Sequence, residues 1–260
     1  MRLEGKSILV VGGTTGLGLA AARACVREGA RLTIVGRDEA STKSAAAELG
    51  SDVAVLTGDA VDPITSERAV ALAVERFGRL DGVYHVAGGS GRSRGDGPLH
   101  EITDDGWQYT FDLNLRSVFN SNRAAVRQFM AQRSGGAVLN LGSVAAFFPS
   151  PRFFATHAYA AAKAAIEGIT RSCAAYYAKQ QIRFNAIAPG AMNTPMAQRA
   201  AQDEQILRFL AAKQPLDGGR IGKPEDLDEA VIYLLSDGAK FVTGQVFAVD
   251  GGWSVSEGID

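Results

Sequence analysis

Residues 7–18 read SILVVGGTTGLG. Ser7–Val11 is a short apolar run rich in β-branched residues, and it stops on a glycine. Gly12, Gly16 and Gly18 follow at intervals of four and two, with Thr14, Thr15 and Leu17 between them, and a helical pattern opens at Leu17. Glycines at such a junction let the chain turn sharply and bring its backbone close to a pyrophosphate. The helix N-terminus behind them offers N–H donors and a positive partial charge. The spacing differs from G-x-G-x-x-G, and a tight turn with no ligand is the bland reading. A strand before and a helix after favour the phosphate loop.

Outward from this loop the same alternation repeats. Strands are predicted at Ser7–Val11, Arg31–Val35, Val53–Thr57, Gly82–Val86, Ala137–Leu141, Arg183–Ala188 and Gln245–Val249. Helices are predicted at Leu17–Glu28, Ser41–Leu49, Ile64–Phe77, Asp104–Gln132, Ala158–Lys179 and Pro224–Leu235. The strands are near-continuous in Val, Ile, Leu and Ala, so both sheet faces are covered. This is the pattern of an α/β, doubly wound, Rossmann-type parallel sheet of about seven strands with helices on both faces. With no linker, repeat or low-complexity tract, residues 1–260 read as one domain. Two stretches break the rhythm. Gly88–Leu99, GGSGRSRGDGPL, reads as a flexible polar loop. Pro189–Gly222, with a helix near Asp203–Ala212, reads as a lid over a substrate.

Of the 260 residues, 46% are hydrophobic and 21% charged, and the formal net charge is −1. Without a basic or acidic block there is no electrostatic case for nucleic acid or an anionic membrane. The apolar run at Ile8–Val11 is too short for a signal peptide, and no stretch reaches the ~20 apolar residues of a membrane span. The two cysteines, Cys25 and Cys173, fall in separate predicted helices. They read as free thiols of a reducing compartment, so the expected location is the cytoplasm. His, Cys and acidic residues show no metal-ligand spacing, and no metal is expected.

Residues 157–168 read HAYAAAKAAIEG. The alanines make this helical, and Tyr159 and Lys163, four apart, share a face. Taken with the glycine loop, the pair resembles the short-chain dehydrogenase/reductase family along essentially the whole chain, about Gly5 to Trp253. The order and separation of the motifs carry the resemblance. It implies a phosphate loop at Gly12, Gly16 and Gly18, and an adenine contact at Asp59, with Ala60 beside it. His85-Val86-Ala87-Gly88 stands in place of Asn-Asn-Ala-Gly, so Ala87 and Gly88 are kept and both asparagines are lost. Another group, His85 among the candidates, must then brace the sheet there. Asn114, Ser143, Tyr159 and Lys163 match the catalytic set. Pro189, Gly190, Met192 and Thr194 match the segment around the nicotinamide carboxamide. His157, beside Tyr159, reads as a loop or helix-cap residue.

The chemistry implied is hydride transfer between a nicotinamide and a carbonyl or secondary alcohol, most simply an NADPH-dependent ketone or 3-oxoacyl reductase. The protein must handle a proton near neutral pH, yet free tyrosine titrates near 10. Lowering it by ~3 units takes roughly 4 kcal/mol, which one unit charge about 4 Å away supplies at an effective dielectric of 20. Lys163, one turn on, is expected to be that charge. Ser143 would hold the substrate oxygen. Asn114 would anchor a water leading from Lys163 to solvent. A non-catalytic dinucleotide-binding sensor on the same fold is the alternative, though such members often lose the tyrosine or lysine.

Cofactor choice turns on TIVGRDEA at the end of the second strand. The acid that binds the ribose 2′-hydroxyl of NAD(H) would fall at Gly36. A glycine leaves room for a 2′-phosphate and Arg37 can fork onto it, so NADP(H) is favoured and NAD(H) remains possible, since Asp38 could turn inward. Phe147, Phe148, Phe153 and Phe154 point to an apolar or aromatic small-molecule substrate, or else pack in the core or an interface. Met192 and Met196 suit an adaptable apolar wall. Arg92 and Arg94 could meet an anionic tail or simply be solvated. The family assembles through two long helices and its C-terminal strand, so a homotetramer built on Asp104–Gln132, Ala158–Lys179 and Gln245–Trp253 is expected.

Overall fold

A computed structural model describes residues 1–197 and 202–258. Seven parallel strands form one sheet in the order β3-β2-β1-β4-β5-β6-β7. They are β1 (Ser7–Val11), β2 (Arg31–Gly36), β3 (Val53–Thr57), β4 (Gly82–His85), β5 (Gly136–Leu141), β6 (Ile182–Pro189) and β7 (Val246–Val249). All of β1 and β4 is buried, as strands covered on both faces must be. The order reverses between β1 and β4, where Val11 pairs with both Val35 and His85. A crevice beyond the carboxyl ends of these strands is where such sheets bind ligands.

Two helical layers cover the sheet. Helices α1 (Gly16–Arg27), α2 (Glu39–Leu49) and α8 (Asp228–Leu235) close one face around Ile8, Val10, Ile34 and Tyr84. Helices α3 (Pro63–Phe77), α5 (Ser117–Gln132) and α6 (His157–Tyr177) close the other around Leu9, Val11, Val83 and Phe184. A small third cluster joins α7 (Glu204–Lys213) to the loop after β5 and to Trp253.

The expected helix Asp104–Gln132 is divided. Helix α4 (Asp104–Phe111) runs into a π turn at Asp112–Arg116 before α5 begins. Asn114 is the cause: its Nδ2 donates to the Thr110 carbonyl, 2.9 Å away, taking the acceptor that its own backbone N–H would use in an α-helix. The last predicted helix is also divided, into a 3₁₀ turn at Pro224–Leu227 and α8. The polar loop Gly88–Leu99 contains a short 3₁₀ turn at Arg92–Arg94 and is tied down at both ends, contrary to the flexible loop expected.

Candidate active site

The groove at the sheet's reversal runs from Arg37 and Asp59, past Gly12–Leu17, to Ala87, Gly88, Tyr159 and Lys163. Thr14, Thr15, Ala60 and Thr194 line it as well. Its centre is bare backbone. Gly12 has φ +87°, and a Cβ there would stand 2.7 Å from the Ala87 nitrogen. Gly18 lies under the loop rather than in the groove, and its Cβ would fall 2.0 Å from the Gly12 carbonyl oxygen. Aspartates cap α2, α3 and α7. At the start of α1, Thr15 makes no side-chain capping bond and the first turn has no acid. A helix end left in this state toward a groove fits a pyrophosphate.

At the adenine end, Asp38 accepts a hydrogen bond from the Ser41 amide at 2.7 Å and caps α2, so it does not turn into the groove. Arg37 is exposed at the rim. Gly36 is closely packed: a Cβ would meet the Thr14 side chain at 2.5 Å. An acid at this position is therefore excluded by Thr14 as it stands. Asp59 accepts from the Val61 amide, which orients its carboxylate at the groove.

The far end is assembled from β5 and α6. Lys163 is buried and donates to the Leu141 carbonyl at 2.8 Å, where β5 ends. Two residues on, Ser143 shares a hydrogen bond with the Tyr159 phenol. Asn114 sits behind, its amide donating to Gly89 and Thr110 carbonyls and its Oδ1 accepting from the Gly89 amide. Both amide hydrogens are engaged with the protein, so Asn114 could meet a water toward Lys163 only through an acceptor oxygen.

The electrostatics correct the simple charge argument. Burial pushes Tyr159 above its ordinary value, and the Ser143 hydrogen bond pulls it back. Burial also brings Lys163 down to about 7. Its Nζ lies 5.6 Å from the centre of the Tyr159 ring. In the protein alone, loss of water around the two groups favours the neutral form of each.

His85 takes up the work of the missing asparagines. Its Nε2 lies 3.0 Å from the Ala87 carbonyl and 3.2 Å from Ser117 Oγ, and its Nδ1 lies 2.7 Å from Ser121 Oγ. Donation from Nε2 to the carbonyl leaves Nδ1 to accept from Ser121. Burial and nearby Lys163 lower this imidazole to about 3, so it is a neutral strut.

Other expectations are redistributed. Met192 is buried against Gly222, with which it forms a β-bridge, and belongs to the core rather than to the groove wall. The side chain of Met196 lies outside the described residues. Pro189 pairs with Val249, and Gly190 packs on Gln214 and Asp250, so both lie beneath the groove. Phe153 and Phe154 pack with Phe209 and Trp253, whereas Phe147 and Phe148 meet edge to face at the surface. His157 is exposed at the first position of α6. Buried Gln214, which braces Ala191 at the base of the lid, and buried Asp96 drew no notice in the sequence. Nothing local marks either one, because their partners are distant in the chain.

The comparisons bear on this geometry. A family model described as enoyl-(acyl carrier protein) reductase matches residues 11–254. The chain is 37% identical over 258 residues to 2-(S)-hydroxypropyl-CoM dehydrogenase 3 of Xanthobacter autotrophicus, covering 96% of this chain and 97% of that one. A second protein of that organism, inactive 2-(S)-hydroxypropyl-CoM dehydrogenase 2, is 38% identical over 235 residues, covering 89% and 98%. The solved structure of a short-chain type dehydrogenase/reductase from Mycobacterium ulcerans superposes with a TM-score of 0.91 at 31% identity, covering all of this chain and 94% of that one. The similarity runs across the full length, and the chain belongs to the short-chain dehydrogenase/reductase family of NAD(P)-dependent oxidoreductases that act on CH–OH and C=O groups.

Proposed function

We propose that the protein interconverts a secondary alcohol and a ketone with NADP(H), using Tyr159 as the proton donor and acceptor. The observation that carries this is the meeting of Ser143, Tyr159 and Lys163 at one end of the groove. A bound nicotinamide supplies or accepts the hydride. Ser143 holds the substrate oxygen and hands its hydrogen bond to the growing negative charge. Tyr159, protonated at neutral pH, gives its proton to that oxygen during reduction. Lys163, its Nζ 5.6 Å from the centre of the phenol ring, is placed to stabilise the phenolate that this leaves. The relative that carries the word inactive in its name leaves a dinucleotide-binding sensor as the second reading. Retention of all three side chains here favours catalysis.

Arg37 at the rim, Asp38 occupied as a helix cap and Gly36 pressed on Thr14 together favour NADP(H). The aromatic cluster of Phe153, Phe154, Phe209 and Trp253 beside the site favours an apolar or ring-bearing substrate. Exposed Trp107, Phe119 and Tyr176 on the α4, α5 and α6 surfaces favour burial against further copies, as a homotetramer. One domain in the cytoplasm suits the single sheet and two free cysteines. Among the described residues no helix is long and apolar enough to cross a membrane.

The test is turnover of NADPH and NADP⁺ against a panel of ketones and secondary alcohols. Tyr159→Phe should lose at least ~10²-fold in kcat while dinucleotide affinity stays within a few-fold. Most of the activity surviving in that variant would sink the reading. Arg37→Ala should weaken NADP(H) by roughly 1.5–3 kcal/mol and leave NAD(H) nearly unchanged. Equal losses for the two dinucleotides would remove Arg37 from phosphate recognition.

A further inference from the structure

The first-turn amides of α6 have no cap of their own. Thr156 stands at the N-cap and makes no side-chain capping hydrogen bond. Instead the amide of Ala158 donates to Asp96 Oδ1 and that of Tyr159 to Asp96 Oδ2, each at 3.0 Å. The His157 amide donates to the Gly97 carbonyl at 3.2 Å. Asp96 is only 4% exposed. Its carboxylate therefore acts as a cap supplied from more than 60 residues away, and both its oxygens are spent on one helix end.

The loop that carries Asp96 is itself fixed. The Asp96 and Arg94 amides both donate to the Gly91 carbonyl, and the Thr103 amide donates to that of Gly95. At its other end Gly89 exchanges two hydrogen bonds with Asn114. Gly88–Leu99 thus spans from Asn114 to the backbone of Tyr159. A helix whose first turn is free can fray or rotate, and the phenol sits in that turn. The position of the phenol against Ser143 then depends on how firmly this turn is held.

We propose that Asp96 is a positioning residue for the reaction: its buried carboxylate sets the register of the first turn of α6 and so aims the Tyr159 phenol at the substrate oxygen. This rests on Tyr159 being the proton donor, as proposed above. The consequence is a selective loss of turnover, because the groove at Gly12–Leu17 and Arg37 lies elsewhere and is untouched.

The experiment compares Asp96→Ala and Asp96→Asn with the wild type, with Tyr159→Phe alongside. Asp96→Ala should lower kcat at least tenfold, with KM and dinucleotide affinity changed threefold or less. Amide exchange at Ala158 and Tyr159 should speed up while that in β1 and β5 holds. Asp96→Asn keeps one acceptor oxygen and should recover at least threefold of the lost kcat. Wild-type kcat in Asp96→Ala, or a loss matched by equal deprotection of β1 and β5 with no recovery in Asp96→Asn, overturns the proposal. Failure of Tyr159→Phe to lose activity strikes the functional reading instead, so the two failures are told apart.

Discussion

Two glycine-rich loops sit side by side on the same edge of the sheet, and they do opposite things. Gly12–Gly18 follows β1 and presents backbone to an open groove. Gly88–Leu99 follows β4 and is clamped, by Asn114 at one end and by α6 at the other. Composition alone makes both look mobile. What separates them is where their polar groups go: the first leaves a helix N-terminus without a side-chain cap, and the second spends a buried carboxylate on one. Glycine in the first loop serves close approach to a ligand, and in the second close approach to the protein itself.

The sharpest way to break this comparison is to add one methyl to each loop. In the first, Gly18→Ala would press a Cβ to 2.0 Å from the Gly12 carbonyl oxygen, a backbone atom that cannot step aside. We expect a stability loss of about 3 kcal/mol or more and no dinucleotide binding, read by denaturant unfolding and titration. A stable Gly18→Ala that binds normally would show that the loop has slack.

The next effect concerns Lys163, which lies between the two loops, 3.6 Å from where a Gly88 Cβ would be. Its ammonium normally titrates at 10.5 and in the fold at about 7. Between those values the unfolded chain binds more protons, so this residue's contribution makes stability rise with pH. The denaturant midpoint of the wild type relative to Lys163→Met should therefore climb from neutral to about pH 9, a contribution of a few kcal/mol at most. A flat difference would mean that the lysine stays charged in the fold.

The smallest effects belong to the clamped loop. A Cβ on Gly91 would fall 1.8 Å from Thr110 Oγ1, but that is a side chain. Gly91→Ala should cost about 1–2 kcal/mol and cost less in a Thr110→Ala background. At Gly97 nothing lies within 4 Å of an added Cβ, and Gly97→Ala should fall within about 0.5 kcal/mol of the wild type. If Gly91→Ala proves as costly as Gly18→Ala, the distinction between yielding and unyielding neighbours fails.

The sequence makes local relations legible and hides distant ones. β1, the glycine loop and α1 are contiguous, so their order could be read directly. Tyr159 and Lys163 share a helix, so spacing alone set them on one face. The brace at Asp96 could not be read, because an aspartate in a glycine-rich loop looks like any solvated turn residue until its partner helix is in place. The burial of Lys163 is hidden for a related reason: spacing shows the neighbour and not the burial. A flexible thioether in the lid suits a groove wall, yet the pairing of Met192 with Gly222 draws it into the core. His85 was legible as a substitute strut only because a motif position had changed.

The π turn at Asn114 has a consequence of phase. Gly106, Thr110, Asn114, Val118, Asn122 and Val126 are all buried, and each stands four residues after the last. On an unbroken α-helix four residues overshoot a turn by ~40°, so the stripe would wander by ~200° over its five steps. One extra residue in a single turn sets the winding back by about 100° and keeps the stripe pointing inward. Past the correction the drift resumes, and the next position, Met130, has swung out to 46% exposure. Removing one residue between Asp112 and Arg116 would take out the extra residue and its setback together, so α5 would keep its face toward His85; closing the π turn with no deletion would instead turn the whole of α5 on its axis by about 100°.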